Sequence, residues 1–145
     1  MLYCIVLYYP KMETTTNHLP TIENIENLPR FAEILRENPG VVIIKFGAEW
    51  CGPCKKIEHQ VHAWFDRMPA AIQTVTVDVD ESFEVYGFLK TKKMLNGIPA
   101  ILCYDRGNLN YVPNDTAIGA DPNQIDLLFN RCLSKVAQQP SPKKA

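Results

Sequence analysis

Cys51 and Cys54 are separated by two residues in the run Ala48-Glu49-Trp50-Cys51-Gly52-Pro53-Cys54-Lys55. Two thiols so spaced can trade a dithiol for a disulfide, or supply half of a metal site. The flanking sequence bears on which. Val41 to Phe46 is a continuous apolar run rich in β-branched residues, as in a strand covered on both faces. After the pair, Cys54, Ile57, Val61, Trp64 or Phe65, and Met68 recur at helical spacing, which predicts a helix over Pro53 to Met68. Cys51 then falls at a helix N-terminus, where unpaired N–H groups and the macrodipole favour an anion such as a thiolate. Cys54, one turn on, can reach it and close a small ring.

Magnitudes indicate what such a site gains. Lowering a thiol pKa from ~8.5 to ~7 raises the thiolate fraction at pH 7 roughly sixteenfold. The weaker nucleophilicity of the resulting anion takes back about fivefold, so the net gain in attack rate is only about threefold. Proximity contributes more, because Cys54 makes resolution of a mixed disulfide intramolecular. A helix dipole supplies at most ~2 kcal/mol, about one and a half pKa units, and Lys55 and Lys56 stand near enough to help. Two other readings are weaker. A zinc site needs four ligands, and there is no second close pair. Inert structural cysteines rarely open a helix with Gly-Pro between them.

The elements that must position this pair alternate along the chain. A short strand is expected near Ile22 to Ile25. A helix is expected over Asn27 to Asn38, with Pro29 in its first turn and Asn38-Pro39-Gly40 as its stop. Ile72 to Asp80 alternates as a strand with Val75, Val77 and Val79 on one side, and Ser82 to Lys93 is helix-like. Ala100 to Tyr104 reads as a strand, with Asp105-Arg106-Gly107-Asn108 as a hairpin turn into Leu109 to Val112. Asp121 and Pro122 open a last helix whose buried stripe is Ile125, Leu128, Phe129, Cys132, Leu133 and Val136. The order β-α-β-α then β-β-α predicts an α/β domain, a mixed central sheet flanked by helices.

A chain of 145 residues suits one domain. Residues 1–20 are expected to be a flexible extension, 21–137 the domain and 138–145 a disordered tail. The apolar stretch Leu2 to Tyr9 lacks the flanks of a secretory signal; it is either an extra strand or arm, or a segment upstream of a true start at Met12. Fifteen basic residues against sixteen acidic ones argue against nucleic-acid binding, and no apolar run approaches the ~18 residues of a membrane span. Five cysteines with one close pair make a poor disulfide framework, so a reducing, cytoplasmic setting is expected. Cys103 and Cys132 read as inert buried thiols, and Cys4 as one that can form adventitious dimers. His59 and His62 read as solvent-facing, and Asp78, Asp80, Glu81 and Glu84 as a strand end followed by helix capping. No metal site is expected.

The run from Ala48 to Lys55 resembles the active-site signature of the thioredoxin family. Gly97-Ile98-Pro99 is similar to that family's cis-proline loop, and Ile118-Gly119-Ala120 to its glycine-containing loop. The resemblance runs from about Thr21 to Val136 and implies the thioredoxin fold. It implies that Cys51 attacks a substrate disulfide and Cys54 resolves the mixed disulfide, with Gly52 and Pro53 tuning the pair toward reduction. Trp50, Ile98, Pro99, Gly119 and Ala120 would form an apolar docking surface, and the Ile98–Pro99 bond would be cis. The implied partners are disulfide-containing proteins and a separate reductase. No bound cofactor is implied, since the electrons travel in the dithiol, and a monomer is expected. A disulfide oxidase or isomerase, or a non-catalytic docking subunit on the same fold, are the alternatives.

The chain also departs from the pattern. The family's buried aspartate beneath the dithiol aligns with Lys45, and its usual lysine partner with Thr76. A buried lysine without a partner tends to lose its proton. Lys45 is therefore expected either to tune the dithiol, as a cation or as a neutral base for Cys54, or to pack its stem and extend its amine to water. His59 replaces a helix-kinking proline, which predicts a straighter helix. About four extra residues within Ser82 to Asn96, and four more within Asn108 to Ala117, lead toward the substrate-facing loops.

Overall fold

The computed structural model describes residues 18–139. The expectations placed on residues 1–17, including Cys4, and on most of the tail lie outside those residues. Strand β1 (Ile22–Glu23) is followed by α1 (Leu28–Arg36), β2 (Val41–Gly47), α2 (Gly52–Phe65), β3 (Ile72–Asp78), α3 (Phe83–Thr91), β4 (Ala100–Asp105), β5 (Asp115–Ile118) and α4 (Pro122–Gln138). The sheet order is β1-β3-β2-β4-β5. β1 and β2 run parallel to β3, and β4 runs antiparallel to both β2 and β5. This is the mixed sheet the sequence predicts, with four helices around it. Among the described residues no helix is long and apolar enough to cross a membrane.

Central strand β2 is buried at all seven positions, which explains a run that is apolar but for Lys45. Its period of two divides the core. Val42, Ile44 and Phe46 face α1 and α3, while Val41 and Ile43 face α2 and α4. Lys45 falls on this second face by the same alternation. Two clasps fix α4 there. The Asp126 carboxylate accepts from Trp64 Nε1 at 2.7 Å and Gln60 Nε2 at 2.8 Å, and Trp64 stacks on Phe129 with centroids 5.2 Å apart. Helix starts follow their caps: Asn27 Oδ1 accepts from Arg30 N–H at 2.9 Å and Asp121 Oδ1 from Asn123 N–H at 3.0 Å.

One strand lies elsewhere than expected. The partner of β4 is Asp115–Ile118, not Leu109 to Val112. Asparagine side chains account for the difference. Asn108 Oδ1 accepts from Asn110 N–H, Asn110 Oδ1 from Val112 N–H, and Asn114 Oδ1 from Asp105 N–H, each within 2.9 Å. These local bonds hold the backbone in a loop in place of a ladder, and Pro113 lacks the N–H that a ladder needs. Cross-strand bonding resumes at Asn114, whose N–H donates to the Cys103 carbonyl at 2.8 Å. The two extended segments also meet. Tyr111 packs edge-on against Phe88 of α3, centroids 5.4 Å apart, and its carbonyl accepts from Tyr104 Oη at 2.8 Å. Both segments run on to the loops at Pro99 and Gly119. However, residues 106–114 themselves leave β4 at Asp105, opposite Val41, the sheet end away from Cys51.

Candidate active site

The end of β2 and the start of α2 place the cysteine pair. Cys51 is the N-cap of α2 in extended conformation, with Gly52 and Pro53 as the first two helical residues. Pro53 loses nothing there, because the first-turn N–H groups have no helical acceptor. The Cys51 carbonyl accepts the first helical bond, from Lys55 N–H at 3.3 Å, and its sulfur accepts from Cys54 N–H at 3.2 Å. Cys51 Sγ thus occupies the place of a capping oxygen, where a negative sulfur is stabilised. Cys51 and Cys54 are joined as a disulfide with Cα atoms 5.3 Å apart, within the span such a bond needs.

Both cysteines are only 4% exposed. The remaining opening is framed by the residues that the resemblance singled out. Cys51 Sγ lies 3.9 Å from the Ile98 carbonyl oxygen, and the Ile98–Pro99 bond is cis. Gly119 N–H donates to the Pro99 carbonyl at 2.9 Å, joining the two loops. Its φ of +95° is one that a side chain would strain, which accounts for glycine here. Ala120, next along, packs against the α2–α4 core. Trp50 is 68% exposed yet tethered, its Nε1 donating to Asp80 at 2.8 Å. That role of Asp80 was not expected; acidic residues after a strand gave only a capping signal. Of the rest of the acidic run, Asp78 ends β3 as expected, but the helix that follows is not capped by it: the N-cap of α3 is Ser82, which makes no side-chain capping bond. Asp78 accepts from Asp80 N–H and Glu84 from Leu28 N–H, at 2.8 and 2.9 Å. His59 and His62 are exposed, as expected, and among the described residues no three His, Cys, Asp or Glu side chains converge as ligands.

Behind Cys54 a cleft of about 730 Å³ is lined by Lys45, Thr76, Trp50, Lys55 and Glu58 among others. Lys45 and Thr76 are direct neighbours on β2 and β3. A Cβ on Gly47 would sit 3.5 Å from Cys54 Sγ and 3.7 Å from Lys45 Cε, so sulfur and lysine stem flank one gap. Lys45 is 6% exposed, and among the described residues no hydrogen bond or ion pair engages its amine. Burial lowers its pKa from the usual lysine value, and the charge of Glu58 partly opposes the shift.

Cys103 on β4 and Cys132 on α4 are both fully buried, as expected of core thiols. They are also together, with sulfurs 3.4 Å apart, a pairing that no spacing in the sequence marks.

The chain is similar to known proteins. The thioredoxin family model matches residues 21–127. Thioredoxin-2 of Pyricularia oryzae is 31% identical over 110 residues, covering 76% of this chain and 58% of that relative. Thioredoxin of Bacillus subtilis is 33% identical over 95 residues, covering 65% and 84%. Among solved structures, a thioredoxin of Malassezia sympodialis superposes with a TM-score of 0.58 at 28% identity, covering 79% of this chain and 95% of that one. The chain spans about half the length of the first curated relatives it matches: 58% for the Pyricularia protein and 49% for thioredoxin 3 of Plasmodium falciparum.

Proposed function

The chain belongs to the thioredoxin family, and on that premise we propose that it is a thiol–disulfide oxidoreductase that reduces protein disulfides. The observation that carries this reading is the placement of Cys51 Sγ at the helix start, held by Cys54 N–H at 3.2 Å with its bonding partner one turn on. In the reduced protein the Cys51 thiolate attacks one sulfur of a client disulfide. A Cys51–client bond forms and the other client sulfur leaves as thiolate. Cys54, deprotonated, then attacks Cys51, releases the second client thiolate and closes the Cys51–Cys54 bond. Two electrons have passed to the client, and both client thiolates take protons from solvent.

Trp50, Ile98, Pro99, Gly119 and Ala120 would receive the client. Ile98 lies just outside β4 and pairs with no described strand, so an extended client segment can bond to its backbone. A separate reductase would reopen Cys51–Cys54, and no resident cofactor enters the cycle. The reading includes a monomer and, on the grounds of cysteine usage, a reducing, cytoplasmic compartment.

One observation favours a second direction. Lys45 borders the cleft behind Cys54, and a charged amine there stabilises thiolate, which raises the potential toward oxidase or isomerase behaviour. A neutral amine would instead take the Cys54 proton. A thiol titration of Lys45→Ala separates tuning from packing: a shifted Cys51 pKa supports tuning, an unchanged one leaves packing alone. The main reading is tested with insulin as client and dithiothreitol as terminal reductant. The chain should accelerate reduction, and Cys51→Ser with Cys54→Ser should abolish the acceleration. Equal rates for both proteins would leave only a docking role.

A further inference from the structure

Cys103 and Cys132 take no part in the exchange proposed for Cys51. Their sulfurs are 3.4 Å apart, with the Cys132 thiol donating to Cys103 Sγ, and neither residue has any exposed surface. A disulfide requires about 2.05 Å, so a shift of little more than an ångström joins them. The two are held differently. Cys103 lies on β4, a strand paired on both sides, with Ile43 of β2 and Asp115 of β5 as its neighbours. Cys132 rides on α4. Beside the part-buried packing of Leu133 and Val136, the last turns of that helix are held by Arg131 to Asp115 at 2.7 Å, Lys135 to Asp105 at 3.0 Å and Gln139 Nε2 to the Gly40 carbonyl at 3.2 Å. All three ties lie at or near the surface, and exposed pairs of this kind are weak. Lifting these turns uncovers Cys132 while Cys103 stays in the sheet.

We propose that Cys103 and Cys132 form a second redox site, which a small peroxide closes to a disulfide stapling α4 to β4, with Cys132 as the thiol attacked first. The Cys132 thiolate attacks one peroxide oxygen. The O–O bond breaks, giving a sulfenic acid and, for hydrogen peroxide, one water. When α4 closes, Cys103 sulfur displaces the hydroxyl, which leaves as a second water after taking the Cys103 proton. Two thiols lose two protons and two electrons to one peroxide. Burial raises the Cys103 pKa well above the usual thiol value, which keeps it a thiol until Cys132 is delivered to it.

The full chain is exposed to hydrogen peroxide, quenched by alkylation at intervals, digested and mapped by mass spectrometry. A Cys103–Cys132 cross-linked peptide is expected, forming roughly a hundredfold more slowly than Cys51–Cys54 closes. Sub-denaturing urea should speed it several-fold. In Cys103→Ala, and in Cys103→Val should the alanine variant not fold, dimedone should label Cys132. In Cys132→Ala it should leave Cys103 unlabelled. No cross-linked peptide after exposures roughly a thousandfold longer than closure of Cys51–Cys54 takes would overturn the proposal, as would closure as fast as at Cys51. Dimedone labelling of Cys103 with Cys132 absent would overturn the assigned order. None of these readouts depends on client reduction, so the two proposals stand or fall separately.

Discussion

Cys51 and Cys54 sit where a strand gives way to a helix; Cys103 and Cys132 sit where a strand and a helix pack side by side. Both pairs hold their sulfurs close. The first has backbone N–H groups aimed at it and an edge open to solvent, next to exposed Trp50. The second has a sealed apolar wall, and burial holds the Cys103 thiol protonated. Proximity makes a bond geometrically available in both cases, and the surroundings decide how fast it exchanges.

The largest effect should separate the pairs outright. Cys51→Ser should lower insulin reduction at least about a thousandfold, since no thiolate remains at the N-cap. Cys54→Ser should still attack once and accumulate a mixed disulfide visible as added client mass. Cys103→Ala should leave turnover within about twofold; a loss like that of Cys51→Ser would end the comparison. Next comes the wall around the inner pair. Phe129 is fully buried against Trp64 and Phe65, and Phe129→Ala should cost about 3–5 kcal/mol in urea unfolding.

Much of this contrast was legible in the residues, and the unreadable part has identifiable physics. Helix starts are written in Asn27, Pro29, Asp121 and Pro122, and strand cores in β-branched runs, because caps and periodicity are local. The outer dithiol is local too, one turn of helix. The inner pair joins residues 29 apart through the packing of α4 on β4, and no spacing rule reports that. The tether of Trp50 to Asp80, across 30 residues, is invisible for the same reason. The misplaced strand has another cause. Leu109 to Val112 looks apolar enough to pair, but neighbouring asparagines satisfy its backbone first.

Lys45 gives a test with a sign. Burial lowers its pKa, so between that lowered value and the usual 10.5 the unfolded chain binds a proton that the folded chain does not. Stability therefore rises with pH across that window, and below it the full penalty of the partly desolvated cation applies. Lys45→Met should stabilise the protein at pH 7 and flatten its alkaline stability profile, read from urea midpoints at several pH values. A loss of stability at pH 7 would mean that the amine is engaged. The smallest effect is expected at Asp80. Asp80→Ala frees the Trp50 indole from one exposed hydrogen bond worth about 1 kcal/mol or less, and should raise KM for insulin a few-fold with kcat nearly unchanged.

The account rests on reversible closure of the outer pair, and a glutathione redox titration read by peptide mapping tests that most directly. The peptide carrying Cys51 and Cys54 should lose two daltons first, reversibly, and at a potential set by the reduced-to-oxidised glutathione ratio, while Cys103 and Cys132 lag. A Cys51–Cys54 pair that stays open across the whole range, or that closes without reopening, would contradict the account.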